Sequence, residues 1–150
     1  MKNTLRFFDR IIVVFLSIVG FTAACDDPVV EYGTPYADFE IKGTVVDNDS
    51  QTPIPNIRLI RVLNEDPFYG DTIYSDSEGK YQFSFNEIPE EENPVFEILA
   101  EDFDGEENGG SFQPDTVSIT LQKSDWVEDG SGWYLGKAVK TEDIKLKKKN

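Results

Sequence analysis

Histidine is missing from this chain of 150 residues, and cysteine occurs once, at Cys25. The first absence excludes Ser-His-Asp and Cys-His nucleophilic centres and removes the commonest zinc ligand. The second excludes a disulfide within the chain, and an iron–sulfur cluster held by its cysteines alone. No apolar run reaches the roughly 20 residues that a membrane-spanning helix needs. Basic residues are also scarce. The 14 Lys and Arg stand against 29 Asp and Glu, for a net charge of −15. A surface this acidic repels phosphate backbones, which excludes nucleic acid as a partner.

What is present begins with a leader. Lys2, Arg6 and Arg10 precede an apolar segment from Ile11 to Phe21, and small residues Thr22-Ala23-Ala24 follow. This is the layout of a secretory signal, with cleavage between Ala24 and Cys25. A cysteine placed first after such a site resembles the lipobox of bacterial lipoproteins. The resemblance implies a diacylglycerol thioether on Cys25, an acylated new amino terminus and attachment to a membrane through lipid. Thr22 stands where the lipobox favours Leu, as in the looser lipoboxes of Bacteroidetes-like lipoproteins. Two or more acyl chains suffice for stable anchoring. The implied location is the cell envelope, on the outer membrane, facing the periplasm or the exterior. Asp26-Asp27 also resembles the acidic export signal of surface lipoproteins, with a plain solvated linker as the alternative.

Removal of the leader, with three basic residues and one acid, leaves a chain near −17. Residues 25–35 then read as the lipidated cysteine and an acidic tether interrupted by Pro28 and Pro35. Residues 36–150 read as one domain. Aromatic residues make up 13% of the sequence, enough with a periodic apolar pattern to build a core. The period is two. Phe39, Ile41, Gly43 and Val45 alternate with polar residues, and Tyr81, Phe83 and Phe85 do the same. Further strands are predicted at 57–63, 72–75, 95–101, 117–121 and 138–147. Turn chemistry at Asp76-Ser77-Glu78-Gly79 predicts a hairpin between the third and fourth strands. Residues 86–94, 102–114 and 123–135 read as loops. Seven short strands with no helical period indicate an all-β fold, a single antiparallel seven-stranded β-sandwich.

Particular residues narrow that architecture. Lys42-Gly43-Thr44-Val45, then Pro53-Ile54-Pro55-Asn56, then Ser75-Asp76 and Gly79-Lys80-Tyr81-Gln82-Phe83 occur in one order. This order resembles the carboxypeptidase-regulatory-like, transthyretin-like sandwich family. Gly79 is expected at positive φ. Asn56 stands where that family has Gly, and Asn tolerates the same left-handed conformation. The whole chain further resembles the lipoproteins encoded beside radical SAM enzymes in Bacteroidetes. The residues carrying this are Cys25-Asp26-Asp27-Pro28, Tyr32-Gly33-Thr34-Pro35 and the loop at 102–110. The resemblance implies a radical SAM enzyme as genetic partner and does not imply a known activity.

Two clusters invite chemistry. Asp102, Asp104 and Glu106 lie in an acidic, Gly-rich loop, and calcium takes six to eight oxygen ligands. An EF-hand alignment fails, because it puts Ala100 first and Ser111 twelfth. An irregular calcium loop and a plain Gly-rich turn both stay open. Trp126, Trp133 and Tyr134 form a possible aromatic platform for sugar, against the alternative that they cap the sandwich. The expected function is a lipid-anchored binding or assembly module of the cell envelope without catalytic activity, linked to the radical SAM enzyme. The alternative is that the protein is that enzyme's substrate, and a carboxylate-based enzyme stands third. No cofactor is expected beyond the lipid on Cys25, with calcium as the open case.

Overall fold

Phe39 and Ile41 turn into the interior while Glu40 and Lys42 turn out, and this alternation builds the first strand of a two-sheet sandwich. The computed structural model describes residues 33–63 and 66–149. The leader and Cys25 lie outside the described residues. Nine strands occur among those described: β1 (Tyr36–Asp47), β2 (Ile57–Leu63), β3 (Asp66–Tyr74), β4 (Lys80–Glu87), β5 (Val95–Asp102), β6 (Asp115–Thr120), β7 (Trp126–Ser131), β8 (Tyr134–Thr141) and β9 (Ile144–Leu146). One sheet runs β4-β1-β8-β7, with β9 also paired to β1. The other runs β3-β2-β5-β6. Thr34–Asn150 forms one compact unit.

The all-β sandwich expected from the sequence is therefore present, with nine strands in place of seven. Both extra strands arise in the last 25 residues. The segment 123–135 is not a loop. It holds a 3-10 turn at Lys123–Asp125, then β7, which pairs with β8 through the register Ser131↔Tyr134. The segment 138–147 is one strand broken at Glu142-Asp143. Its first part lies parallel to β1 at Phe39↔Ala138 and its second part at Val45↔Ile144. Hence the pairing is antiparallel except where β8 and β9 flank β1.

The break explains Gly43. The Glu142 carbonyl crosses directly over it, and a Cβ built on Gly43 would sit 1.8 Å from that oxygen. The Tyr81 hydroxyl donates to the same carbonyl at 2.8 Å, and burial pushes its pKa well above the usual phenol range. Thr44 N–H donates to Asp143 Oδ1 and Glu142 N–H to the Lys42 carbonyl, each at 2.8 Å, so hydrogen bonds bridge the interruption.

The expected hairpin of the third and fourth strands is not formed. β3 belongs to one sheet and β4 to the other. The turn itself is as read: Gly79 has φ +74°, and Asp76 Oδ1 accepts the N–H of Glu78 and of Lys80. The strands then part because Ser75 is buried and committed to β2. Its Oγ accepts Ile57 N–H at 2.9 Å and donates to the Ile54 carbonyl at 2.9 Å.

Between the sheets lie Phe39, Ile41, Leu59, Ile98, Ile119 and Leu146, each almost fully buried. Burial of one such side chain is worth about 1.5–3 kcal/mol. Rings of Phe85, Phe96 and Trp126 surround Phe39 at centroid distances of 5.5, 5.0 and 6.0 Å. Arg61 staples the β3–β4 side. Its buried guanidinium lies 3.8 Å from the Phe85 ring centre and reaches Asp71 and Glu87 at 2.7 Å each.

Candidate functional site at the Trp126 end

Strand direction sorts the candidate residues between two opposite ends. β2 begins, and β5 finishes, at the far end, where Ile57 pairs Asp102. Tyr36, Trp133 and the loop after Glu87 lie at the entry end, where the chain joins β1.

The acidic loop at the far end is held by its own carboxylates. Asp102 Oδ1 accepts the N–H of Asp104 and Gly105 at 3.2 and 3.1 Å. Its Oδ2 accepts Phe112 N–H at 2.7 Å. Asp104 Oδ2 accepts the side-chain amides of Asn56, at 2.8 Å, and of Asn108. Those amide donors hold Asp104 below the usual carboxylate range, Asn56 first. Glu106 is exposed and stands outside this network. The structure thus joins Asp102 and Asp104 through the loop and does not bring Glu106 to them. Among the described residues, no three acidic side chains converge to hold a metal ion. The donor set reads as a turn clamp.

The aromatic trio also divides. Trp126 is half-buried against Phe39. Trp133 is exposed and sits in the β7–β8 turn, where its carbonyl accepts Tyr36 N–H at 2.9 Å. Tyr134 stacks on Tyr36 with centroids 5.5 Å apart. Burial and the Asp38 charge push its phenol pKa up. Trp126 stands five residues from the turn, roughly 16 Å along the strand. Hence no single platform of Trp126, Trp133 and Tyr134 forms.

Trp126 lines a different feature, an open cleft of about 450 Å³. Its other walls are Pro89, Leu135, Lys123 and four carboxylates, those of Glu91, Glu92, Glu128 and Asp129. A second cleft of about 280 Å³ adjoins it through Pro89 and Glu91, with Ile88 and Val95 beyond. Exposed apolar side chains gather at this end: Tyr36, Ile88, Val95, Val127, Trp133 and Leu135. Sequence reasoning found Trp126 and missed its walls. Glu90-Glu91-Glu92 reads only as a solvated loop, and the fold brings it beside β7.

No protein-family model matches this sequence, and no curated protein matches it. Two solved structures show a partial likeness. One is described as a candidate carbohydrate-binding protein from Bacteroides uniformis. It is 13% identical, with a TM-score of 0.40, over 76% of this chain and 42% of that one. The other is a 3-chlorocatechol 1,2-dioxygenase from Rhodococcus opacus. It is 13% identical, with a TM-score of 0.45, over 78% of this chain and 62% of that one. The chain spans less than two thirds of the length of either.

Proposed function

We propose that this protein is a lipid-anchored, non-catalytic binding module of the bacterial cell envelope, attached through Cys25, with the Trp126 cleft as its ligand site. The observation that carries the site is a half-buried tryptophan walled by four carboxylates. An aromatic face stacks on the C–H face of a sugar ring, and carboxylates accept its hydroxyl protons. Neutral glycans therefore suit this cleft. The attachment rests on the leader and on the position of Cys25. The chain has no histidine and no thiol other than Cys25, which supports a non-catalytic role.

The link to a radical SAM enzyme belongs to this reading and rests on the resemblance of the whole chain. The experiment for the site is a glycan array probed with the mature protein and with Trp126→Ala. Binding to a neutral glycan that falls at least tenfold in the variant supports the reading, and an array without signal overturns it. For the anchor, Cys25→Ser is expected to move the protein to the soluble fraction. Mass spectrometry of protein made with and without the enzyme separates the binding module from a substrate. A mass change beyond the lipid would favour the substrate.

A further inference from the structure

Each sheet ends in two edge strands, and an unpaired edge is a template for another strand. Three of the four are blunted by charge or irregularity. β3 carries Pro67 and Asp71, and its pairing with β2 shifts register between Arg61 and Leu63. β7 carries Glu128 and Asp129 and a bulge after Trp126. β6 is regular, but Glu97, exposed on β5, stands directly opposite Ser118 and has no ion pair among the described residues. β4 has no charge or irregularity in its own middle, although Asp38 on β1 stands opposite Asn86 much as Glu97 stands opposite Ser118. Its central residues Tyr81-Gln82-Phe83-Ser84-Phe85-Asn86 hold no charge, Pro or Gly, and its register with β1 is unbroken from Ala37↔Glu87 to Thr44↔Lys80.

The free backbone groups of β4 can be named. The Gly79 carbonyl accepts Val45 N–H on the β1 side, and the Lys80 carbonyl accepts Asp76 N–H on the other. In an antiparallel ladder, alternate residues direct both N–H and C=O to the same side. Tyr81, Phe83 and Phe85 therefore bond β1, while Gln82, Ser84 and Asn86 direct six groups outward. Beside them runs an open cleft of about 700 Å³, bounded across by Arg61, Asp71 and Ile73.

We propose that β4 pairs antiparallel with β4 of a second copy of this chain, about a two-fold axis through Ser84. That register sets Ser84 opposite Ser84 and Gln82 opposite Asn86, and it uses all six free groups. On the inner face it sets Phe83 opposite Phe85 of the other copy, a favourable aromatic cross-strand pair. Charge selects this edge in a chain of −15, where most contacts between copies repel. Two acids border the axis: Asp71, which shares the cleft with Ser84 and is held by Arg61 at 2.7 Å, and Glu40, paired to Ser84 on β1. Lys42 and Lys137 neutralise Glu40 at 2.6 and 2.9 Å.

Anchoring on one bilayer is compatible with this axis. Tyr36 lies four residues from Glu40, about 13 Å along β1 from the level of the axis. Ten residues separate it from Cys25 and can reach about 33 Å. With the axis along the membrane normal, both copies reach the same surface. The pairing itself stands without the anchor.

Ser84→Cys in the full chain, oxidised in both the membrane and the soluble fraction of producing cells, tests the register. Opposed residues of a bonded antiparallel pair lie about 5.5 Å apart at Cα, within disulfide range. A crosslinked species of twice the monomer mass is expected from Ser84→Cys and not from Ser118→Cys at the β6 edge. In detergent the wild type is expected to sediment as a dimer. Ser84→Lys, which sets two cations on the axis, is expected to weaken the dimer at least tenfold while the dilute monomer keeps its melting temperature. Absence of the crosslink, an equal yield from Ser118→Cys, a crosslink to a different protein, or a dimer that survives Ser84→Lys overturns the proposal.

Discussion

The two ends of the sandwich are both rich in acids and use them in opposite ways. At the far end, Asp102 and Asp104 accept hydrogen bonds from backbone and side-chain amides, and Asp47 accepts the N–H of Asp49 and Ser50. These acids shape turns and have little capacity left for a ligand. At the entry end, Glu91, Glu92, Glu128 and Asp129 border an open cleft beside apolar side chains. Carboxylate density alone therefore does not mark a site. What distinguishes a site is acid whose hydrogen-bonding capacity the fold has not consumed, next to apolar surface that it has not covered.

Substitutions at the far end should cost stability and leave binding intact. Asp102→Ala removes the acceptor of three backbone amides and is expected to cost about 3 kcal/mol, or roughly 10 °C in melting temperature. A calorimetric loss below about 1 kcal/mol would show that water replaces the clamp. Next in size, Trp126→Ala at the entry end is expected to cost about 2 kcal/mol of packing against Phe39. It should also weaken the proposed glycan binding at least tenfold, which Asp102→Ala should spare.

Asn56 separates backbone strain from hydrogen bonding. It has φ +60° and donates to Asp104. Asn56→Ala is expected to cost about 1–2 kcal/mol and Asn56→Gly less than half of that. Equal losses in chemical denaturation would assign the effect to the Asp104 bond instead.

Acid supplies a further test. Backbone N–H of Asp49 holds the Asp47 pKa low, and the Asn56 amide does the same for Asp104. A carboxylate with a depressed folded pKa stabilises fully above its unfolded value, near 3.9, and that contribution is lost as pH falls through the folded value. The melting temperature should therefore drop between pH 4 and pH 2, and Asp104→Asn should flatten the drop. Asp125, held low by Gln122 N–H and then by Lys140, contributes with the same sign. The smallest effect is expected from Trp133→Ala. Its side chain is exposed, so the change should stay within about 0.5 kcal/mol. A larger loss would place Trp133 among the residues that hold the sandwich.

Much of the sandwich is legible in period-two alternation, because burial on one face of a strand repeats every second residue. Positive φ at Asn56 and Gly79 is legible from residue type together with their turn positions. The last quarter is harder to read. Val127-Glu128-Asp129-Gly130 lacks alternation because β7 is an edge strand with a bulge, and only Trp126 among its residues packs on the core. The destination of the 76–79 turn depended on Ser75, whose hydroxyl bridges Ile54 and Ile57 twenty residues upstream. Trp126 is visible as an aromatic residue, but its cleft joins segments about 35 residues apart. No local pattern encodes that meeting.

The break of the last strand over Gly43 bears on the order in which the chain can fold. β1 comes first in the sandwich and gains β4 within fifty residues, but its other flank stays bare until β8 and β9 arrive about one hundred residues later. Contacts of such sequence separation form slowly, because much of the chain must be ordered before they close. Closing that flank places the Glu142 carbonyl across the glycine. Until the carboxyl-terminal segment has emerged, the central strand of the larger sheet lacks one neighbour. A chain built this way cannot complete its larger sheet before its final residues are made.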